Sequence, residues 1–122
     1  MSDVVFDLKD QLQTVQDGLL EGEAAYAVYD GKGAGTGFIG LTDLRVVLQD
    51  ESYVGGKLAL TSLPYDRINA VSLVSNRSVF GRWAEAATLA ITTMDTTYEV
   101  ELRGADKAKH AHDLILHFIT RG

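Results

Sequence analysis

Asp106, His110, Asp113 and His117 follow one another at spacings of four, three and four. On a helix these positions share one face, so two imidazoles and two carboxylates come within the reach at which such groups hold a divalent cation. His110, Asp113 and His117 are thus the candidate metal ligands of this sequence. The same face lies opposite Ala111, Leu114 and Phe118, which places it in solvent. A structural metal site draws on a second element and on outer partners for its ligands. The expectation is a solvated helix face, with no metal and no cofactor.

A second pattern is GTGFIG, residues 35–40, inside the longer run DGKGAGTGFIG. It has the G-x-G-x-x-G form of a dinucleotide-binding turn. Such a turn holds phosphate where a helix opens directly after it and offers free N–H groups and a positive dipole end. Here the chain continues into LTDLRVVLQ, which is strand material, and no Lys-Ser or Lys-Thr follows the glycines as a Walker loop requires. The glycines therefore predict a hairpin loop running into a strand where backbones approach closely. The alternative is an anion held by loop amides around Gly33 and Gly35 together with Lys32.

The run NRSVFGRW, residues 76–83, is the one local excess of cations and aromatics. Arg77, Phe80, Arg82 and Trp83 have the composition of a protein-contact surface. The competing arrangement turns Phe80 and Trp83 inward over a sheet and leaves the arginines solvated. Catalytic constellations are thin. Ser52, Ser62, Ser72, Ser75 and Ser78 are present, but all three histidines lie in one helical segment and no G-x-S-x-G elbow occurs. The acids Asp50–Glu51 and Glu99/Glu101 fall in a turn and on the polar face of a strand, as solubilising charges do. A protein that is not an enzyme is expected.

Behind these candidates stands one domain of 122 residues, 46% apolar and 23% charged, enough for a single core. The net charge of -6 repels phosphate backbones and anionic membranes on average, so no nucleic-acid partner is expected. Without cysteine there is no disulfide, thiol catalysis or Cys-ligated zinc. No apolar run approaches the ~20 residues of a spanning helix. The opening MSDVVFDLKD carries acids and lacks a signal-peptide pattern, so a cytoplasmic location is expected.

Residues 3–20 read as a helix, with Val4, Leu8, Leu12, Val15 and Leu19 recurring at helical spacing. From Glu23 the period becomes alternating. Ala24, Tyr26 and Val28 would face one way, and Ala25, Ala27 and Tyr29 the other. Strands follow at 36–41, 44–49, 58–63 (ended by Pro64), 67–75, 87–93 and 97–103. A helix at 106–120 buries Ala108, Ala111, Leu114, Ile115, Phe118 and Ile119. The fold class is mainly β: a small bent antiparallel barrel or sandwich with a helix across one open end. The organisation reads as an N-terminal helix over 1–22 joined to a body over 23–122.

This order of motifs resembles the bacterial pleckstrin-homology family, long labelled a domain of unknown function. The stretch GFIGLTDLRV resembles its threonine, small polar, basic, then hydrophobic strand. LPYDRI resembles its proline-tyrosine lead-in to a strand, and LRGADKA its strand-to-helix junction. The similarity runs from about Leu19 to Ile119. It implies a seven-stranded, strongly bent antiparallel sheet plugged by a C-terminal helix, and no catalysis. It implies a platform for lipids, peptides or proteins, and bacterial members that self-assemble into rings. The fold's phosphoinositide binders carry several cations in the first hairpin loop. Here that loop has Lys32 beside Asp30, which gives little purchase on an inositol phosphate, so membrane binding is doubtful.

If the body already has its plug, the apolar stripe of the N-terminal helix is surplus. Val4, Leu8, Leu12, Val15 and Leu19 could cover the outer sheet of their own chain or of a neighbour. With free strand edges, they favour a homo-oligomer, and an unidentified protein is a further possible partner.

Overall fold

The structure, a computed structural model, describes residues 4–32, 36–50, 59–74 and 87–121. The first described element is a two-residue strand, β1 (Val5–Phe6), followed by helix α1 (Lys9–Asp17). Four antiparallel strands come next: β2 (Ala25–Asp30), β3 (Thr36–Thr42), β4 (Arg45–Asp50) and β5 (Ala59–Pro64). A single 3-10 turn, Tyr65–Arg67, leads into β6 (Ile68–Val74), β7 (Ala87–Thr93) and β8 (Thr97–Leu102). Helix α2 (Ala105–Arg121) follows. The sheets run in the orders β1-β2-β3-β4-β5 and β6-β7-β8, and only the β1–β2 pairing is parallel.

The mainly β architecture with a C-terminal helix is as expected, and β2 to β8 are the seven alternating runs of the sequence. Two features differ. The N-terminal helix is present but shorter than the apolar stripe predicts. Residues Val5 and Phe6 pair with Ala27 and Val28, and Leu8 stays extended at φ -124°, ψ 132° with no side-chain cap. An unpaired sheet edge outcompetes a helical first turn here, because backbone pairing satisfies N–H and C=O groups that a frayed helix end leaves free. The second difference is a register shift between Ala25 and Ala27. It breaks the simple alternation, so Tyr26 meets Phe118 of α2 rather than sharing a face with Val28.

Two apolar clusters result. The larger fills the space between the sheets and α2, where Leu41, Leu89, Ile91, Leu102, Ala111 and Ile115 are fully buried. The smaller lies on the outer face of the five-stranded sheet, where Val15 of α1 covers Val28, Phe38 and Val47. Burying one such side chain contributes about 1.5–3 kcal/mol, and Leu12, Leu19 and the Gln11–Asp30 hydrogen bond add to what Val15 gives in holding α1 down. The sheets are stitched together at the first hairpin. Lys32 N–H donates to the Glu101 carbonyl at 2.7 Å, Thr36 Oγ1 donates to the Glu99 carbonyl at 3.0 Å, and Gly31 bridges to Leu102.

Candidate functional site

The polar side chains gather at two places. At one, the turn before β2 folds Glu23 under the β3–β4 corner. Arg45 grips its carboxylate with two bonds, Nε to Oε2 at 2.9 Å and Nη2 to Oε1 at 3.1 Å. Thr42 Oγ1 donates to Oε2 at 2.6 Å, and the Leu20 N–H donates to Oε1 at 2.8 Å. Arg45 also donates to Ser62 Oγ and to the Gly18 carbonyl. Burial raises the cost of ionising Glu23, but the hydrogen bonds from Arg45, Leu20 and Thr42 and the charge of Arg45 outweigh it. The carboxyl is lowered to about 2. Tyr65 Oη donates to the Thr42 carbonyl at 2.6 Å, and its ring stacks on Phe118. Desolvation, followed by the charges of Asp43 and Glu23, pushes this phenol up.

The second cluster joins β1, β2 and α2. Asp7 accepts from Lys107 Nζ at 2.7 Å through Oδ1 and from the Asp30 N–H at 2.9 Å through Oδ2. Asp30 in turn accepts from Arg103 Nε and Gln11 Nε2, both at 2.8 Å. Tyr29 Oη and His110 Nδ1 lie 2.6 Å apart, and burial, then Asp7 and Asp106, raise the Tyr29 phenol. The N–H of Asp7 donates to the Val28 carbonyl, which closes the β1 pairing. Beside this latch, Val5, Phe6 and Leu8 are 50%, 42% and 44% exposed along the outer edge of the sheet. That is an unusual place for three apolar side chains within four residues.

Elsewhere, a groove of about 620 Å³ opens between the 3-10 turn and the β7–β8 hairpin. Arg67, Asp66 and Asp95 give it mixed charge, and Met94 stands at its rim.

The candidates from the sequence fall as follows. His110 is held by Tyr29, and His117 sits edge-on to Phe118. Asp113 is bonded by Lys109 at 2.6 Å and by His112 at 2.9 Å, which together lower its carboxyl. Among the described residues, no three His, Cys, Asp or Glu side chains converge as metal ligands do. Gly33, Gly35, Arg77, Phe80, Arg82 and Trp83 lie outside the described residues. Lys32 is exposed, and its neighbour Asp30 pairs with Arg103. Of the N-terminal stripe, Val15 is buried in its own chain with Leu12 and Leu19 packed beside it, while Leu8 faces solvent and Val4 is half-buried. No helix among the described residues is long and apolar enough to cross a membrane.

Sequence reasoning passed over the Asp7 and Glu23 networks. Their partners lie 100 and 22 positions away, beyond any local period. The only local hint was the Val4-Val5-Phe6 triplet, which favours a strand over a helix.

One five-stranded sheet, antiparallel except for the β1–β2 pair, and one three-stranded antiparallel sheet, stitched at the first hairpin with a C-terminal helix laid across the shared core, give this chain a pleckstrin-homology-like fold. Solved structures agree. The chain is similar to a pleckstrin-homology domain from Shewanella amazonensis, at 19% identity and a TM-score of 0.66, over 93% of this chain and 99% of that one. It is similar to a DUF1696-family protein with a pleckstrin-homology domain from Shewanella loihica, at 18% identity and 0.65, over 93% of each. A more distant likeness is the hSac2 domain of the human phosphoinositide phosphatase Sac2, at 12% identity and 0.51, over 89% and 82%. No protein-family model matches the sequence, and no curated protein matches it. At these identities the likeness carries the fold. The motifs behind the sequence resemblance are its fasteners: Thr42 and Arg45 hold Glu23, Tyr65 ties back to Thr42, and the Gly104 carbonyl receives the first turn of α2.

Proposed function

We propose that this chain is a non-enzymatic, cytoplasmic interaction module that self-associates. The observation that supports this reading is the half-exposed apolar run Val5, Phe6 and Leu8 on a sheet edge that pairs with no further strand among the described residues. Exposed edges with apolar side chains associate unless they are covered or charged. The other outermost strand of that sheet among the described residues, β5, carries exposed Leu60, so strand-to-strand contact has two surfaces to draw on. The composition of Arg77, Phe80, Arg82 and Trp83 supports a contact with a further protein. Light scattering of the full chain across a range of concentrations tests the self-association. A mass of one chain throughout removes this reading.

A second reading, binding of an anionic lipid or phosphate group through the first hairpin loop, has one observation in its favour. Asp30 is engaged by Arg103, so the charge of Lys32 is not cancelled by its neighbour. Binding to vesicles containing anionic lipid that disappears both at ~0.5 M salt and in Lys32→Ala would support it.

A further inference from the structure

We propose that the groove between the 3-10 turn and the β7–β8 hairpin binds a short extended peptide segment that carries both cationic and apolar side chains. This goes beyond the self-association reading above and does not depend on it.

Both walls of the groove are built in advance. On one side Pro64 fixes the entry to the 3-10 turn. Buried Tyr65 is tied down through its hydroxyl on the Thr42 carbonyl and its N–H on the Leu44 carbonyl. Asp66 and Arg67 are left exposed on that turn. On the other side Thr93 closes the hairpin on Thr96. Its N–H donates to the Thr96 carbonyl at 2.8 Å, and its Oγ1 accepts from the Thr96 N–H at 3.3 Å. The closed turn holds out Met94 and Asp95, both exposed. Between the walls, the register shift after Ile68 leaves Asn69 unmatched in the β7 ladder and exposed in the groove. Walls that need no ordering leave more of the contact energy to appear as affinity.

The lining selects the chemistry of the partner. Asp66 and Asp95 bring two carboxylates to the groove against the single guanidinium of Arg67, in a chain of net charge -6. An anionic ligand or membrane is disfavoured there, and a cationic side chain is favoured. Hydrocarbon comes from Met94, 88% exposed, and from Pro64, with Leu44 joined to this wall through its carbonyl. An unbranched thioether adapts to apolar surfaces of varied shape. The Asn69 amide offers a donor and an acceptor, and Arg67 offers further donors, which match the C=O and N–H groups of an extended backbone. A small polyamine would satisfy the two acids but leave Met94 and Asn69 unused. The volume of about 620 Å³ lies within the ~300–1,000 Å³ of sites that take a small ligand or a few residues of chain.

The probe is the peptide Lys-Leu-Lys-Leu-Lys-Leu with a fluorescent label, titrated with the full chain in ~0.15 M salt and followed by anisotropy. Saturable binding is expected. Asp66→Asn combined with Asp95→Asn should weaken it about fivefold or more, as the loss of two exposed charge pairs does. Glu99→Gln combined with Glu101→Gln removes the same net charge from the exposed face of β8, outside the groove, and should change it less than about twofold. The matched peptide with Ser in place of Leu should bind about fivefold more weakly, since it has no hydrocarbon to lay on Met94. Equal weakening by the two double variants would mean that the peptide reads net charge alone, and the site is overturned. Equal binding of the serine peptide, or no binding of the leucine peptide, overturns it as well. Backbone amide NMR of the unmodified chain gives a readout that needs no variant. The leucine peptide should shift the signals of Asp66–Asn69 and Thr93–Thr96, and shifts elsewhere with these two segments unmoved would overturn the site.

Discussion

A methyl group on Gly40 would lie 2.8 Å from Cγ2 of Val15. This contact accounts for the last glycine of the G-x-G-x-x-G run. Gly40 sits in the middle of β3, opposite Val28 and Val47 in the ladders on either side. The absent side chain is the seat into which α1 lowers its one buried residue. Gly40→Ala is expected to cost about 1–3 kcal/mol, as overpacking does. Val15→Ala on its own costs its burial. The two together cost less than their sum, because removing Val15 makes room for the new methyl. Urea unfolding of the four proteins measures the coupling, and strict additivity would mean that α1 does not rest on Gly40.

That contact also shows which parts of the molecule were legible beforehand. Along β8, Val100 and Leu102 turn inward and Glu99 and Glu101 outward, as a period of two requires, and α2 buries Ala108, Ala111 and Ile115 at helical spacing. Such elements are read from neighbours a few positions apart. The N-terminal segment reads as continuous helix because Val4, Leu8 and Leu12 fit a stripe, while the edge of β2 that captures Val5 and Phe6 is twenty-two residues away. The role of Gly40 is half legible: the strand context argues against a dinucleotide-binding turn, but which side chain needs the space is a tertiary fact. The resemblance to bacterial pleckstrin-homology domains pointed to Thr42, Arg45 and Tyr65 as marked positions, and the structure supplies the chemistry that marks them.

Glu23 makes stability depend on acid. Its carboxyl is lowered from an ordinary 4.5 to about 2, so the folded state binds a proton less readily than the unfolded chain. The contribution is complete above about pH 4.5 and is lost as pH falls toward 2. At 1.36 kcal/mol per unit, its size is on the order of 3 kcal/mol. Unfolding free energies measured from pH 6 to pH 2 should fall over that window, and the fall should be shallower by this amount in Glu23→Gln. Parallel curves for the two proteins would mean that Glu23 carries no proton-linked stabilisation. Because the Arg45 guanidinium loses its counter-charge, the variant is also less stable at pH 6.

Tyr65→Phe isolates one hydrogen bond. The phenyl ring retains the stacking on Phe118, 5.0 Å between centroids, and loses only the donor to the Thr42 carbonyl. The expected cost is about 1–2 kcal/mol, made of the bond itself and an acceptor left without its partner. Chemical denaturation with an unchanged m-value would place the loss in the folded state. A cost near zero would mean that water replaces the hydroxyl at Thr42.

The apolar edge should control association and leave the fold intact. β1 is held by its backbone and by Asp7, so Val5→Thr with Phe6→Ser keeps every hydrogen bond of the strand while removing the exposed hydrocarbon. Met94, at 88% exposure on the β7–β8 hairpin, is the control: it is more exposed than either residue but lies far along the chain from the latch. If association follows exposed hydrocarbon in general, Met94→Ser weakens it as much as the double change. If it follows the β1 edge, the double change shifts light-scattering mass toward a single chain at concentrations where Met94→Ser remains associated. Each half-exposed side chain offers roughly half of the 1.5–3 kcal/mol of a full burial, so the pair is expected to change the dissociation constant by about tenfold to a hundredfold. Equal masses for the double variant and the unmodified chain at every concentration would take the edge out of the interface altogether.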